Sequence, residues 1–366
     1  MARRGENIYK RKDGRWEGRY KNGFKADGTA KYSSVYGKSY AEVKAIMSEK
    51  RIKPAEKIIP HNLTVKKLFE IWFDSIKLRV KESTYTSYYI KYEKHILRAF
   101  GDMRYSELSA DKLNSFVYEK RKSGLSDKYI GDIIGVIKSA CRFASERFGY
   151  ADNSRYIVIL KARSHEKEML GAAAQNVLRN YLSSNPTASN AGILLSMATG
   201  IRIGELCALK WSDIDLEKKI ITVRHTLQRI KDLFGAKATK LIITAPKSES
   251  SAREIPIPEF IMPVLKRLKT APENFLLSGT AKITEPRTLQ YRFKSILKRL
   301  DIPYVSFHSL RHLFATNCIA LGFDVKTLSE ILGHSSVEIT LNRYVHSSIE
   351  RKAECMKLLS NHLSAC

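Results

Sequence analysis

Six residues in the C-terminal half of the chain are of the types that can attack a phosphodiester bond. They are Arg202, Lys247, His308, Arg311, His334 and Tyr344. A transferring phosphoryl group needs cations that neutralise its developing charge, and a planar guanidinium can meet two phosphate oxygens at once. A free tyrosine has a pKa of roughly 10, so its phenol needs cations and a proton acceptor nearby to act as a nucleophile. Because the arginines and histidines would supply both, this set predicts phosphoryl transfer.

The spacing around His308 is compatible with two kinds of chemistry. His308 and Arg311 are three residues apart, so on the first turn of a helix both can point to one anion, which that turn itself favours. His308 and His312 are four apart, as zinc ligands on a helix can be, but Ser309 stands where the zinc-protease pattern HExxH has glutamate. No carboxylate or cysteine follows at a third-ligand spacing, and the sequence has no GxxxxGK[ST] loop for a nucleotide. We therefore expect neither a metal ion nor a cofactor.

The charge of the chain predicts a polyanionic partner. Its 366 residues include 64 Lys+Arg against 37 Asp+Glu, a formal net charge of +27. Charge bears on association and not on fold, so an RNA-binding protein would fit it equally well. No segment is apolar for the roughly 18 residues that a membrane span needs, and the N-terminus lacks the apolar core of a secretory signal. The five cysteines form no CxxC pair, so we expect reduced thiols in a cytoplasmic protein without membrane contact.

The first sixty residues predict a small sheet with one helix. Asp13 and Gly14 form a hairpin signal between β-favouring flanks, and residues 31–36 have further strand character. Ser39 and Glu42 make a capping box for a helix that runs to about residue 51. Basic and aromatic residues are interleaved here, which is typical of a DNA-facing surface. The candidate contacts are Arg15, Trp16 and Arg19, and the alternative is a solvated basic face over a small aromatic core.

A four-helix region is predicted next. After a Pro-containing linker, Thr64 is a suitable N-cap for the first helix. The apolar residues of that helix that fall on one face, and so predict its core side, are Val65, Leu68, Phe69, Trp72 and Ile76. The other helices are expected at residues 83–100, 109–122 and 126–147, and Gly149 suits the end of the last one. The opposite faces of these helices are basic. Their candidate DNA contacts are Lys91, Lys94 and Arg121, each explained equally well as a merely solvated side chain.

The remaining half is predicted to be mixed α/β and mostly helical. Helices are expected at residues 173–182, 191–197, 203–209, 259–268, 287–299, 310–321, 325–332 and beyond 336, and strands at 220–225, 241–245 and 254–257. The fold class is therefore multidomain. It combines a small β-sheet plus helix at 1–58, an all-α domain at 62–150 and a mixed α/β, mostly helical domain at 168–366.

Four segments of the chain resemble the tyrosine recombinases, the site-specific recombinase family that includes phage and conjugative-transposon integrases. They are residues 198–206 (ATGIRIGEL), 244–256 (TAPKSESSAREIP), 308–316 (HSLRHLFAT) and 332–346 (LGHSS at its start, TLNRYVH at its end). Any one of them alone would be weak, but all four occur in order and at workable distances. The resemblance covers most of the chain from about residue 64 onward.

The resemblance implies roles in cleavage for the basic residues. Arg202 and Arg311 look like the two arginines that grip non-bridging oxygens of the scissile phosphate. Lys247 is similar to the family's lysine at a strand-to-strand turn, which protonates the departing 5′ oxygen. Lys240 is close by and is the alternative candidate for this role.

The resemblance also implies roles for the nucleophile and its neighbours. Tyr344 matches the nucleophile, and His308 and His334 match the positions that hydrogen-bond the phosphate or help the nucleophile. Glu205 matches an acidic supporting position and fits a structural role equally well. We expect His312 to support packing or a backbone hydrogen bond.

The implied function is that of a DNA integrase that cuts and rejoins strands through a covalent 3′-phosphotyrosyl link, for which no cofactor is needed. The implied partners are double-stranded DNA attachment sites, further copies of the chain in a homo-tetramer that exchanges C-terminal tails, and a directionality factor. The N-terminal sheet resembles the arm-type DNA-binding domain of integrases, which favours an integrase over a Xer-type resolvase. A type IB topoisomerase and a non-catalytic DNA-binding regulator are the alternatives.

Overall fold

The structure, a computed structural model, describes residues 7–24, 30–51, 62–158, 169–233, 235, 237–245 and 252–344, with six positions between 353 and 364. Within these ranges, the side chains at 21–24, 30–31, 49–51 and 342–344 lie outside the description. The chain divides into two compact units, Met1–Ala162 and Arg163–Cys366. No helix in the described ranges is long and apolar enough to cross a membrane.

The N-terminal region is a three-stranded antiparallel sheet followed by one helix, as predicted. Its elements are β1 (Ile8–Lys10), β2 (Trp16–Phe24), β3 (Ala30–Gly37) and α1 (Tyr40–Arg51), and the strand order is β1-β2-β3. The Ser39 hydroxyl accepts a hydrogen bond from the backbone N–H of Glu42 at 3.2 Å, which caps α1. A small core of Val35, Val43 and Met47 joins the helix to the sheet.

The four predicted helices of the next region are present. They are α2 (Val65–Ile76), the rod formed by α3 (Glu82–Lys91) and α4 (Leu97–Phe100), α5 (Ala110–Lys122) and α6 (Asp127–Phe148). A π-helical turn, Tyr92–Ile96, connects α3 to α4. Thr64, Ser109 and Ser126 each accept a backbone hydrogen bond at the start of a helix, and left-handed Gly149 ends α6.

An aromatic cluster holds α2 against α3 and the π-helical turn. Phe69 stacks on Tyr92 with ring centroids 4.7 Å apart, and Phe73 meets Tyr85 at 5.3 Å. Phe73 is buried while Ile76, predicted on the core face, is only partly covered. The buried face of α2 is therefore rotated slightly about the helix axis from the predicted face.

The second unit is mixed α/β and mostly helical, as predicted, and its described residues include two small sheets. Its helices are α7 (Ala172–Ser184), α8 (Ala188–Thr199), α9 (Ile203–Ala208), α10 (Met262–Leu268), α11 (Pro286–Arg299), α12 (His308–Ala320), α13 (Val325–Leu332) and α14 (Val337–Tyr344). Its strands are β4 (Ile214–Asp215), β5 (Ile220–Val223), β6 (Thr226–Lys231), β7 (Thr239–Thr244) and β8 (Arg253–Pro256). One sheet has the order β4-β5-β8, and β6 pairs with β7 in a separate hairpin.

Strand β6 was absent from the sequence prediction. Leu227 and Ile230 are its buried residues, and their spacing of three interrupts the alternation that marks a half-buried strand. Pairing with β7, which runs from Thr226 opposite Thr244 to Lys231 opposite Thr239, is what fixes it as a strand.

Helix α8 lies in the centre of this unit. Ile193, Leu194 and Leu195 are consecutive and all fully buried, so this helix is covered on every side. It is capped by Gly200 at φ +65°, a left-handed conformation that glycine adopts without strain, and a side chain is excluded there because a Cβ would lie 2.6 Å from the Phe314 ring. This turn leads directly to Arg202.

Candidate active site

The turn between α8 and α9 positions Arg202 through a carboxylate on the next helix. Arg202 is the residue that precedes α9, and Glu205 Oε2 accepts from its backbone N–H at 3.1 Å. Glu205 Oε1 accepts from Arg202 Nη1 at 2.8 Å. Because Glu205 is only 4% exposed while Arg202 is 35% exposed, the buried acid holds a guanidinium that remains accessible.

Arg311 joins the ends of two helices from inside the unit. It is 2% exposed, and its Nη1 donates to the Gly200 carbonyl at 2.8 Å while Nη2 donates to the Leu332 carbonyl at 2.6 Å. These carbonyls lie at the C-terminal ends of α8 and α13, where the helix dipole stabilises a cation. The buried charge of Arg311 is therefore oriented by backbone dipoles.

Three arginines converge on the end of α13. The consecutive carbonyls of Ile331, Leu332 and Gly333 accept from Arg253 Nε at 2.5 Å, Arg311 Nη2 at 2.6 Å and Arg202 Nη2 at 2.9 Å respectively. His334 follows immediately. One helix end thus fixes three guanidiniums relative to each other and to the next candidate residue.

Arg253 was not among the sequence-predicted residues. Its Nη2 donates to Glu205 Oε2 at 2.9 Å, and its side chain is 6% exposed. Burial alone would raise the pKa of Glu205, but the adjacent Arg253 and Arg202 guanidiniums outweigh this effect and hold the pKa below its ordinary value. A signal existed in the sequence, since Arg253 shares one face of β8 with the buried Ile255.

The two histidines of α12 lie in different surroundings. His308, the first residue of the helix, is exposed. It lines a groove of about 880 Å³ together with Arg202, Arg229 and Arg287. His312 is buried and its ring meets that of His308 edge-on at 4.7 Å, which agrees with the packing role expected for it.

His334 is oriented by a residue of the following helix. It is half-buried, and its Nδ1 shares a hydrogen bond of 2.8 Å with Oγ1 of Thr340, which is fully buried in α14. Fixing one ring nitrogen sets the direction of the other. Thr340 stands four residues before Tyr344, so the same hydrogen bond links His334 to the helix that ends at that tyrosine. Thr340 belongs to the TLNRYVH motif, but no role was predicted for it.

Two of the predicted residues fall partly or wholly outside the described residues. The backbone of Tyr344 is the last position of α14, but its side chain is not described, and Lys247 lies in the undescribed segment 246–251. That segment connects β7 to β8, which belong to different sheets of the described chain. The site geometry therefore comprises Arg202, Glu205, His308, Arg311 and His334, together with Arg253 and Thr340. No group of three or more His, Cys, Asp or Glu residues within the described ranges could hold a metal ion.

The candidate DNA contacts of the N-terminal sheet differ in their surroundings. Arg19 lies over the Tyr32 ring at 4.9 Å, and Arg15 forms an ion pair with Asp13 at 2.8 Å. Trp16 is partly buried and packs edge-on against Tyr40 with ring centroids 5.4 Å apart. Trp16 therefore belongs to the small core, while the arginines lie on the exposed side.

The candidates of the four-helix region also separate. Arg121 is held by both oxygens of Asp127, at 2.6 and 2.9 Å, which ties it to the start of α6. Lys91 donates to Ser87 at 2.7 Å, and Lys94 is exposed. Burial lowers the pKa of His95, and the nearby cations lower it further. Those cations are Lys120, Lys94 and Arg98. Together with His95 they form a basic patch, of which Arg121 is not a part.

Two family models match this chain. "Phage integrase family" matches residues 162–351, and "Phage integrase, N-terminal SAM-like domain" matches residues 64–120. A tyrosine recombinase XerC-like protein of Caldanaerobacter subterraneus subsp. tengcongensis is 27% identical over 362 residues, which cover 89% of this chain and 90% of that protein. The transposase from transposon Tn916 of Enterococcus faecalis is 27% identical over 186 residues, 46% of this chain and 44% of the transposase.

Solved structures of other integrases share the fold. The Tn1549 transposon integrase in complex with transposon right end DNA has a TM-score of 0.67 at 22% identity, covering 81% of this chain and 100% of that one. A lambda integrase tetramer bound to a Holliday junction has a TM-score of 0.57 at 18% identity, covering 94% and 98%. Since the first family model spans more than half of the chain, the chain belongs to the phage integrase family and is a tyrosine recombinase, a DNA strand-transferring enzyme.

Proposed function

We propose that this recombinase is an integrase that works in the cytoplasm and integrates and excises a mobile element. It cuts one DNA strand at a time through a 3′-phosphotyrosyl link to Tyr344, and a 5′-hydroxyl from the partner duplex then attacks that link. The energy of the broken bond is kept in the protein–DNA ester, so no nucleotide is hydrolysed and no cofactor is needed. The observation that carries this proposal is the convergence of three arginines on the carbonyls of residues 331–333, immediately before His334.

The proposed roles follow the positions of the side chains. Arg202 and Arg311 bind the non-bridging oxygens of the scissile phosphate, and Glu205 orients Arg202. His308 reaches the phosphate from the groove, and His334, oriented by Thr340, assists the phenol of Tyr344. Lys247 protonates the departing 5′ oxygen.

The identity of the nucleophile is tested with Tyr344→Phe. Only one hydroxyl is lost and none of the cations that dominate phosphate binding, so we expect no cleavage and nearly unchanged DNA affinity. The measurement is trapping of a denaturant-resistant adduct on a nicked duplex that carries the joined ends of the mobile element. An adduct formed by the Phe variant would assign the nucleophile to another tyrosine.

The role of Lys247 is tested by changing the leaving group. Lys247→Ala should cleave about 10²–10⁴-fold more slowly, and replacing the bridging 5′ oxygen by sulfur should restore the rate because a thiolate leaves without a proton. Lys240→Ala is the matched variant, and it should cleave both substrates at the wild-type rate. Equal defects of Lys247→Ala on both substrates would remove Lys247 from the general-acid role.

Assembly as a homo-tetramer on paired sites is proposed to use the C-terminal tail, residues 345–366. All six described tail positions are exposed, including the apolar Met356 and Leu363. The second unit also has an apolar groove of about 560 Å³, whose lining includes the well-exposed Phe260, Leu321 and Phe323. The tail of a neighbouring protomer is the proposed occupant of this groove.

Tail docking is tested from both sides of the contact. Deleting the chain from Glu350 onward and substituting Leu321→Asp should each lower assembly on paired sites in a native gel, and combining them should add little. Phe260→Asp is a second variant on the groove side. Unaltered assembly after the deletion would contradict docking in trans.

The proposed domain division is an arm-type DNA-binding domain at 1–58, a helical core-DNA-binding domain at 62–150 and the catalytic domain at 168–366. In the first, Arg15 and Arg19 contact DNA from the exposed side of the sheet and Trp16 supports them by packing. In the second, Lys91 contacts DNA together with the basic patch that includes Lys94, whereas Arg121 is held by Asp127.

The role of the first domain is tested with a chain that starts at Asn62. It should still form the Tyr344 adduct, but its binding to DNA that carries both core and arm sites should have a shallower salt dependence. Identical salt slopes would remove the first domain from DNA binding.

A further inference from the structure

Arg253 is buried, yet it is connected to the exposed Arg202 through one carboxylate. Glu205 accepts from Arg202 Nη1 with one oxygen at 2.8 Å and from Arg253 Nη2 with the other at 2.9 Å. The side chains of Glu205 and Arg253 are 4% and 6% exposed, against 35% for Arg202. Only Arg202 of these three presents an accessible edge to the groove that it lines.

The net charge of this cluster determines the electrostatic environment of a phosphate bound against Arg202. Two guanidiniums and one carboxylate sum to a single positive charge. If Arg253 were absent, Glu205 would neutralise Arg202, and the pair facing the groove would carry no net charge. Electrostatic interactions are strong in such a water-poor region, so this difference in charge changes the electrostatic stabilisation of an anion bound against Arg202.

Arg253 makes a second contact that concerns the same site. Its Nε donates to the Ile331 carbonyl at 2.5 Å, next to the carbonyls that accept from Arg311 and Arg202. It is also the first residue of β8, six positions after Lys247. Arg253, whose charge compensates that of Glu205, therefore also fixes the end of α13 to the strand that follows Lys247.

We propose that Arg253 is a positioning residue for strand cleavage, which neutralises Glu205 so that Arg202 keeps its positive charge for the scissile phosphate. The proposal rests on the proposed role of Arg202 in binding that phosphate. Arg253 acts through Glu205 and the end of α13 and does not touch the DNA.

The test is the single-turnover rate of covalent adduct formation at saturating DNA, with the nicked duplex described for Tyr344. Arg253→Met removes the charge and keeps the stem, and it should slow the adduct about 10²-fold while the half-saturating DNA concentration stays nearly unchanged. Adding Glu205→Gln to Arg253→Met removes the carboxylate that neutralises Arg202, so at least a tenfold recovery is expected. Arg253→Lys, which keeps the charge, should retain at least a tenth of the wild-type rate.

The control uses an ion pair of the same unit at the surface. Lys219, which precedes β5, pairs with Glu259 and is 47% exposed, so Lys219→Met and Lys219→Met/Glu259→Gln should both cleave at the wild-type rate. A merely structural role of Arg253 predicts that the Glu205→Gln addition slows cleavage further, because a second buried partner is lost.

Four outcomes overturn the proposal. They are an Arg253→Met variant as fast as the wild type, no recovery in the double variant, a lysine variant as slow as the methionine variant, and a wild-type chain that forms no adduct at all. The last outcome refutes the proposed function itself, whereas the first three leave that function intact and remove only the role of Arg253.

Discussion

The four-helix region and the second unit both bury titratable side chains, but only the second unit buries a cluster of charged ones. In the four-helix region burial raises the pKa of Tyr92 to about 12 and that of Cys141 to about 11, so both groups are neutral at physiological pH. The second unit also buries neutral thiols, Cys207 and Cys318, but beside them it buries charges: the side chains of Arg311, Arg253 and Glu205 are at most 6% exposed. One region excludes charge from its interior, and the other concentrates it there.

The difference separates a region built for stability from one built for chemistry. Aromatic rings in the four-helix core gain from burial without needing partners for a charge. A buried ion cluster is weak evidence for stability, because apolar residues of similar size often stabilise a fold equally well. Arg202, Arg253 and Arg311 are instead held in one arrangement by carbonyls and a carboxylate, which is what a preorganised site for an anion requires.

The largest effect is expected for Arg311→Met. The Gly200 and Leu332 carbonyls would lose a charged donor, at about 1–3 kcal/mol for each buried group left unsatisfied, and cleavage should fall about 10²–10³-fold or more. Adduct formation and urea unfolding followed at Trp211 measure the two effects. Arg311→Lys keeps the charge but cannot hold both carbonyls, so its cleavage should stay well below wild type. A methionine variant that cleaves normally would mean that this buried charge serves only the fold.

In the four-helix region the counterpart is Phe73→Ala. Phe73 is 4% exposed among Tyr85, Tyr89 and Tyr92, and we expect a loss of about 3–5 kcal/mol in the free energy of unfolding. Unfolding is measured by urea with the fluorescence of Trp72. At a temperature where the variant is folded, the adduct rate at saturating DNA should remain that of the wild type. A slow adduct under these conditions would show that this core also shapes the catalytic step.

The same contrast explains how much of the fold could be predicted. The N-cap expected at Thr64 is present, and the helices expected from residues 109 and 126 begin there with serine caps, because caps and apolar stripes are local patterns that one chain segment specifies. Helix α13 was predicted at 325–332 and is found at Val325–Leu332. Strand β6 was missed because its definition depends on the partner strand β7 and not on its own pattern.

The site was predictable only where the motif residues themselves carry the charge. Arg202, Glu205 and Arg311 are found together around the ends of α8 and α13. Arg253 was given no role because its importance arises from contacts over long sequence separations, and Thr340 because its hydrogen bond to His334 forms only once α14 packs back on the end of α13. Arg253 meets an acid 48 positions away and a carbonyl 78 positions away, and periodicity within a segment carries no information on such pairs.

A dependence on pH should distinguish the two regions. The pKa of Glu205 lies below its ordinary value of 4.5 when folded, so its contribution to stability is complete above about pH 4.5 and is lost as the pH falls through the folded pKa. The pKa of Cys141 is raised from 9.0 to about 11, so its contribution is complete below pH 9 and is lost as the pH rises to about 11. Acid should therefore weaken the second unit first, whereas alkali should weaken both regions, because burial also raises the pKa of Cys318 in the second unit to about 11.

The regions can be followed separately, because Trp72 lies in one and Trp211 in the other. Urea midpoints are measured against pH at each tryptophan, in chains where the other two tryptophans are replaced by phenylalanine. Glu205→Gln should flatten the acid limb seen at Trp211, and Cys141→Ala the alkaline limb seen at Trp72. If the acid limb appears equally at both tryptophans, or if Cys141→Ala flattens the alkaline limb at both, the two regions unfold as one unit and the assignment to single groups is wrong.

The smallest effect, and the finest distinction between the regions, is expected for two buried threonines. Thr340 is fully buried and shares its hydrogen bond with His334, and Thr86 is 3% exposed in α3 of the four-helix region. Valine has nearly the same shape, so each Thr→Val substitution should change the free energy of unfolding by only about 1 kcal/mol. Without the bond to Nδ1 the His334 ring can rotate. We therefore expect Thr340→Val to slow adduct formation about 10-fold, a smaller loss than removal of a proton-transfer group causes. Thr86→Val should leave the rate unchanged, and Thr340→Ser, which restores the hydroxyl, should recover most of the loss. Equal rates for the Thr340→Val and Thr86→Val variants would mean that the hydrogen bond only packs α14 and that His334 is oriented by other contacts.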